Sequence, residues 1–153
     1  MSSYGFVYIM TNDYMSVFKL GCTERSPNAR ADELSRATGV PDRFSVMCFA
    51  EFDDFQAEEK HMHKWMDDYR ANPGREFFHV DGLRFATLLL YWHPRRLSFS
   101  HGGRGSDLVP GPFGQLNLQL HNSVNPFEPA KKPPVQVIEA TSQSVEKQPA
   151  DAV

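Results

Sequence analysis

Apolar residues fall into short runs separated by turn-forming clusters, and the rhythm of each run predicts its element. Tyr4 to Met10 (YGFVYIM) and Val17 to Gly21 (VFKLG) are short runs rich in aromatic and aliphatic residues. With Thr11, Asn12 and Asp13 between them, they predict a β-hairpin with a longer loop. Ser26-Pro27 supplies an N-cap and a first-turn proline, and Gly39 and Pro41 supply a stop, so a helix is expected over about Pro27 to Thr38. Phe44 to Phe52 (FSVMCFAEF) predicts a third strand, central and buried on both faces. Asp53-Asp54 opens a second helix running to about Arg70, and Asn72-Pro73-Gly74 breaks it. Glu76 to Val80 (EFFHV) predicts a short aromatic strand or extended segment. Asp81 then caps a third helix from Gly82 to about His93, which Pro94 ends. The order β-β-α-β-α-β-α predicts a small three-layer α/β domain over residues 4–94, with a short mixed or antiparallel central sheet flanked by helices.

The pattern changes beyond that point. Residues 98–153 are rich in Gly, Pro and Ser, and from Pro126 onward they are poor in aromatics. Such a composition buries too little apolar surface to offset chain entropy, so a disordered tail is expected. One island interrupts it: Leu116, Leu118 and Leu120 alternate with polar residues. That alternation reads as an edge strand, a segment that binds a protein partner, or an unstructured linker.

The 153 residues carry a formal charge of -3. Through Ser100 there are 12 Lys and Arg against 14 Asp and Glu, a balance of -2. A globally basic nucleic-acid binder is therefore excluded, and any phosphate contact must come from a local cluster. Cys22 and Cys48 have no metal-ligand spacing and read as reduced thiols of an intracellular protein. The longest apolar run, Ala86 to Trp92, is far below the roughly 20 residues a bilayer requires. A soluble, cytoplasmic protein is expected.

Two helices carry unusual polar residues. Arg30, Leu34 and Ala37 share one helical face, which should pack on the sheet. A guanidinium there must meet an anion, pair with a carboxylate or reach out to water. On the second helix, Phe55, Met62, Trp65, Met66 and Tyr69 form the apolar stripe, and Glu58 falls within it. Glu59, His63 and Arg70 cluster on one edge. Glu59 and His63, at i and i+4, suit a divalent metal, an acid/base pair or a helix-stabilising surface pair. His61 and His63 lie about 200° apart on a helical wheel and cannot share a zinc ion.

Gly5-Phe6-Val7-Tyr8-Ile9 followed by Lys19-Leu20-Gly21 resembles the two strand motifs of the GIY-YIG nuclease superfamily. The resemblance is closest to a bacteriophage branch whose second motif reads K-I-G. It continues through Thr23, Arg30, Leu34, Arg36 to Pro41 (RATGVP), the Glu59, Lys60 and His63 helix, and Arg75 to Phe78 (REFF), so it covers about Gly5 to Asp81.

The resemblance implies phosphodiester hydrolysis of DNA. By analogy Tyr8 helps deprotonate the attacking water, Arg30 binds the scissile phosphate, and Glu59 holds one divalent cation, Mg²⁺ or Mn²⁺. Lys19 stands where the second-motif tyrosine is common and can anchor phosphate or lower the Tyr8 pKa. His63 joins the catalytic candidates, and Lys19, Arg30, Arg70 and Arg75 are the candidate nucleic-acid contacts. A DNA-binding module with weak or absent catalysis is the alternative, and a role in protein interaction through the tail is a third reading.

Overall fold

The computed structural model describes residues 3–37, 39, 42–102 and 119–128. Among the described residues, five strands form one fully antiparallel sheet in the order β4-β2-β1-β3-β5. They are β1 (Gly5–Thr11), β2 (Val17–Thr23), β3 (Ser45–Phe52), β4 (Phe77–His79) and β5 (Ser98–His101). The helices are α1 (Pro27–Ser35), α2 (Phe55–Trp65) and α3 (Leu83–Tyr91). This is the expected α/β architecture, with the sheet antiparallel rather than mixed.

The strand period of two assigns the faces. Val7 and Ile9 of β1, Phe18 and Leu20 of β2, and Cys48 and Ala50 of β3 pack with Phe55, Met62 and Met66 of α2 and with Leu83, Ala86 and Leu90 of α3. On the other face Tyr8, Met10, Val46 and Phe49 meet Ala31 and Leu34 of α1. Helices thus cover both faces, giving three layers. The pairing of β1 with β3 shifts register between Ile9 and Met10, so Ile9 opposes Cys48 while Met10 opposes Val46. A bulge at Met47 moves Val46 to the α1 face, although Cys48 faces α2 and α3. β3 is therefore not buried throughout: buried and half-buried residues alternate along it.

Several boundaries differ from expectation for local reasons. Ser26 occupies the N-cap position of α1 without a side-chain cap bond, and Pro27 starts the helix. The helix ends at Ser35, whose hydroxyl donates to the Ala31 carbonyl at 2.6 Å and accepts from the Phe44 amide at 2.9 Å. Asp54 caps α2 by accepting from the Ala57 amide at 3.2 Å. The α2 helix stops at Trp65 and a 3-10 turn, Asp67–Tyr69, follows. A second 3-10 turn, Val80–Gly82, precedes α3, so Asp81 does not cap that helix.

Residues 98–101, read from sequence as the start of the tail, pair with β3 as β5. Leu120 is 2% exposed and joins the main core. It begins a 3-10 turn, Leu120–Asn122, not a strand. The Trp92 indole donates to the Ser123 hydroxyl at 2.8 Å, and the Phe127 ring lies 5.2 Å from Trp65. Leu116, Leu118 and most of the expected tail lie outside the described residues. Among the described residues no helix is long and apolar enough to cross a membrane.

Candidate functional site

Tyr8 opposes Gly21 across the hairpin, and Met10 opposes Lys19. Tyr8 and Lys19 are therefore diagonal neighbours on the α1 face of the sheet. Tyr8 is 1% exposed, and its ring fills the space above Gly21. The Arg30 guanidinium stands beside it from α1 and acts to lower its pKa. Arg30 donates to Glu33 at 3.0 Å and stays partly open to solvent. The charge on the α1 face is thus met by a carboxylate and by water.

Lys19 is only 7% exposed. Its ammonium pairs with Glu76 and sits 5.3 Å from the centre of the Phe77 ring. Glu76 is held there because its carbonyl accepts from the Leu20 amide at 3.0 Å, just ahead of β4. Glu59 projects from α2 toward β2, where it lies 3.4 Å from His63 Nε2 and close enough to Cys22 for each to shift the other's titration. His63 Nε2 also lies 2.8 Å from the Leu20 carbonyl oxygen, which pins the ring against β2.

These groups divide between the two faces of the sheet: Tyr8, Lys19 and Arg30 lie on the α1 face, and Glu59, His63 and Cys22 on the α2 face, with Glu76 acting electrostatically on both Tyr8 and Glu59. Burial pushes the Tyr8 phenol up to about 12, and Glu76 adds to this against the opposing influence of Arg30. Burial raises Cys22 to about 12, with help from Glu59 and Glu76. Burial likewise raises the Glu59 carboxyl, and nearby Glu76 reinforces it, while His63, Cys22 and Lys19 act the other way. Burial above all therefore keeps the Tyr8 phenol protonated throughout the neutral range. Glu76 links the two halves of the cluster, and sequence reading left it without a role although it lies inside the REFF segment.

A model of the T5orf172 domain family matches residues 5–90, more than half of the chain. The chain belongs to the T5orf172 domain family. This domain is phage-associated and related to nuclease-like folds. No curated protein and no solved structure matches the chain. The matched span of the T5orf172 domain contains every residue of the cluster, from Tyr8 to Glu76, and ends before β5 and residues 119–128.

Among the described residues no group of three or more His, Cys, Asp or Glu side chains is placed to hold a metal ion by itself. A Mg²⁺ or Mn²⁺ ion needs fewer protein donors, because it keeps several waters and takes phosphate oxygens of a substrate. The T5orf172 cluster fits that demand. Glu59 is a half-desolvated carboxylate raised by a second carboxylate, a state that a nearby cation would relieve.

Arg70 and Arg75 are placed differently from Arg30. Because α2 ends at Trp65, Arg70 leaves the helical wheel and takes an extended backbone bridged to Phe78. Its guanidinium donates to Asp67 at 2.9 Å and to the Arg75 carbonyl at 2.6 Å, and it stacks 5.0 Å from the Phe78 ring centre. Arg70 therefore braces the turn before β4, while the Arg75 side chain is on the exposed part of that turn.

Glu58 is spent on structure. It is 4% exposed, and it meets His61 at 3.1 Å, Arg95 at 3.1 Å and His93 at 3.1 Å. His93 Nδ1 accepts from the Arg95 amide at 3.1 Å, which leaves the proton on Nε2, 3.1 Å from Glu58 but outside hydrogen-bond geometry. His61 and His63 therefore serve different carboxylates on different sides of α2.

Proposed function

We propose that the domain is a divalent-cation-dependent endonuclease of the GIY-YIG type that hydrolyses DNA phosphodiester bonds. The observation that carries this reading is the buried Tyr8 phenol with the half-exposed Arg30 guanidinium beside it, and Glu76 acting electrostatically on both Tyr8 and Glu59. In this reading Arg30 receives the scissile phosphate and neutralises charge developing on it. Glu59 would hold Mg²⁺ or Mn²⁺, which supplies Lewis-acid polarisation of the phosphoryl oxygen. A phosphate beside Lys19 competes with Glu76 for the ammonium. Freed from Glu76, Lys19 favours the phenolate of Tyr8, which then accepts a proton from the attacking water. His63 orients the Glu59 carboxylate.

A DNA-binding module with weak catalysis is supported by a specific observation: the Tyr8 phenol is raised to about 12 and Lys19 is already paired. Incubation with plasmid DNA and Mg²⁺ or Mn²⁺, against EDTA, separates the two. For an enzyme, Glu59→Ala abolishes cleavage and leaves DNA affinity intact or slightly raised. Arg30→Ala weakens both, and Lys19→Ala flattens the salt dependence of binding by about one phosphate. Wild-type protein that binds DNA, is cleavage-inactive with every divalent ion and is indifferent to Glu59→Ala would overturn the enzyme reading.

A further inference from the structure

Beside Lys19, on the α1 face, lies a cavity of about 240 Å³. Met15, Leu34, Ala37, Phe44 and Phe77 form apolar walls, and Lys19 supplies a cation. The Phe44 and Phe77 rings are 6.4 Å apart between centres, and the Lys19 ammonium sits against Phe77. Drug-sized ligands occupy sites of about 300 Å³ and more, so this cavity suits one flat ring system, not a whole nucleotide.

Its position decides what that ring is. Leu34 follows Arg30 by one helical turn, about 6 Å along the axis, and Ala37 lies just past the end of α1. A stacked strand advances about 3.4 Å per nucleotide, so the cavity lies within a few nucleotides of a phosphate held at Arg30. Aromatic walls accept any base by stacking, and the Lys19 ammonium, exchanged from Glu76 to a phosphate, matches the attached backbone. A base in a regular duplex is paired inside the helix and cannot enter a cavity beside the phosphate unless it leaves the stack.

Resting on the reading of the cluster as a phosphate site, we propose that this cavity takes the base of an unpaired nucleotide flanking the bound phosphate. The substrate class that follows is DNA with a single-stranded or unpaired nucleotide at that position.

The test uses the full chain without divalent ions and three probes: a mixed-sequence single strand, its duplex, and the same strand with abasic sites. Wild-type protein should bind the single strand about tenfold or more tightly than the abasic strand. Phe77→Ala should remove that preference and leave duplex affinity unchanged. Because Phe77 is part of β4, Ala37→Trp serves as a second variant, filling the cavity from an exposed wall. It should remove the preference in the same way. If both variants fold and keep the preference, or if wild type has none, the base site is wrong. If Arg30→Ala loses all three probes while the cavity variants change nothing, the phosphate site stands and the base site falls. If wild type binds none of the probes, both fall.

Discussion

Alanine at position 21 would put a methyl group where the Tyr8 ring lies. A Cβ there would stand 2.6 Å from the phenol oxygen and 2.8 Å from Cζ. Favourable carbon contacts lie at about 3.5–4.0 Å, so the ring must move by about 1 Å. It has little room: Tyr8 is fully buried among Met10, Ala31 and Val46. Gly21 is not among the glycines with positive φ, so its role is space and not backbone freedom. Overpacking of this kind costs about 1–3 kcal/mol. For a domain of this size that lowers Tm by about 4–8 °C per kcal/mol.

The reasoning makes a sharper claim in a second background. With Tyr8→Ala the clash partner is gone, and Gly21→Ala should become neutral or stabilising by about 0.4–1 kcal/mol, because alanine restricts the unfolded chain. Urea denaturation of the wild type, both single variants and the double variant gives the coupling directly. The same penalty in both backgrounds would refute the account of Gly21 as the seat of the Tyr8 ring. For the enzyme proposed above, Gly21→Ala should also slow cleavage far more than it weakens DNA binding, since it displaces the phenol.

Three further outcomes are expected. The Glu59 carboxyl is raised in the fold, so the native state binds more protons than the unfolded chain from about pH 4.5 upward to its folded value, and stability falls as pH rises through that window. Glu59→Gln should therefore melt higher than wild type at neutral pH, and equal or lower melting would contradict the placement of Glu59. Burial acts to raise Glu58, but the bonds from His61 and Arg95 and the charge of His93 outweigh it, leaving its carboxyl low. Its contribution is present above about pH 4.5 and is lost as pH falls through the folded value. Glu58→Ala should cost about 1–3 kcal/mol at pH 7, and acid titration of its stability should lack that component. Leu120→Ala should cost about 2 kcal/mol or more if residues 119–128 dock on the core as described. A cost no larger than a surface substitution would place that segment off the domain.

Local signals specified the order of the elements. Pro27 opens α1, Asp54 caps α2, and the aromatic and β-branched runs form strands, because capping, proline geometry and strand periodicity act over a few residues. The period of two, with hairpin pairing, was enough to put Tyr8 and Lys19 on one face. Helical spacing was enough to join Glu59 to His63 and to mark Glu58 as inward-facing.

Partners far apart in sequence were not legible. Glu76 meets Lys19 across 57 residues, and Arg95 meets Glu58 across 37. No local pattern encodes such pairs, which exist only once strands and helices have packed. Tertiary packing also ended α2 early and turned Arg70 into a brace, and a bulge at Met47 redirected Val46. It paired a four-residue strand with the β3 edge and seated Leu120 in the core. The same packing raised the Tyr8 phenol. Residue types alone place a tyrosine near cations, but the balance between burial, Arg30 and Glu76 depends on how deeply the ring lies and on which acid has taken Lys19.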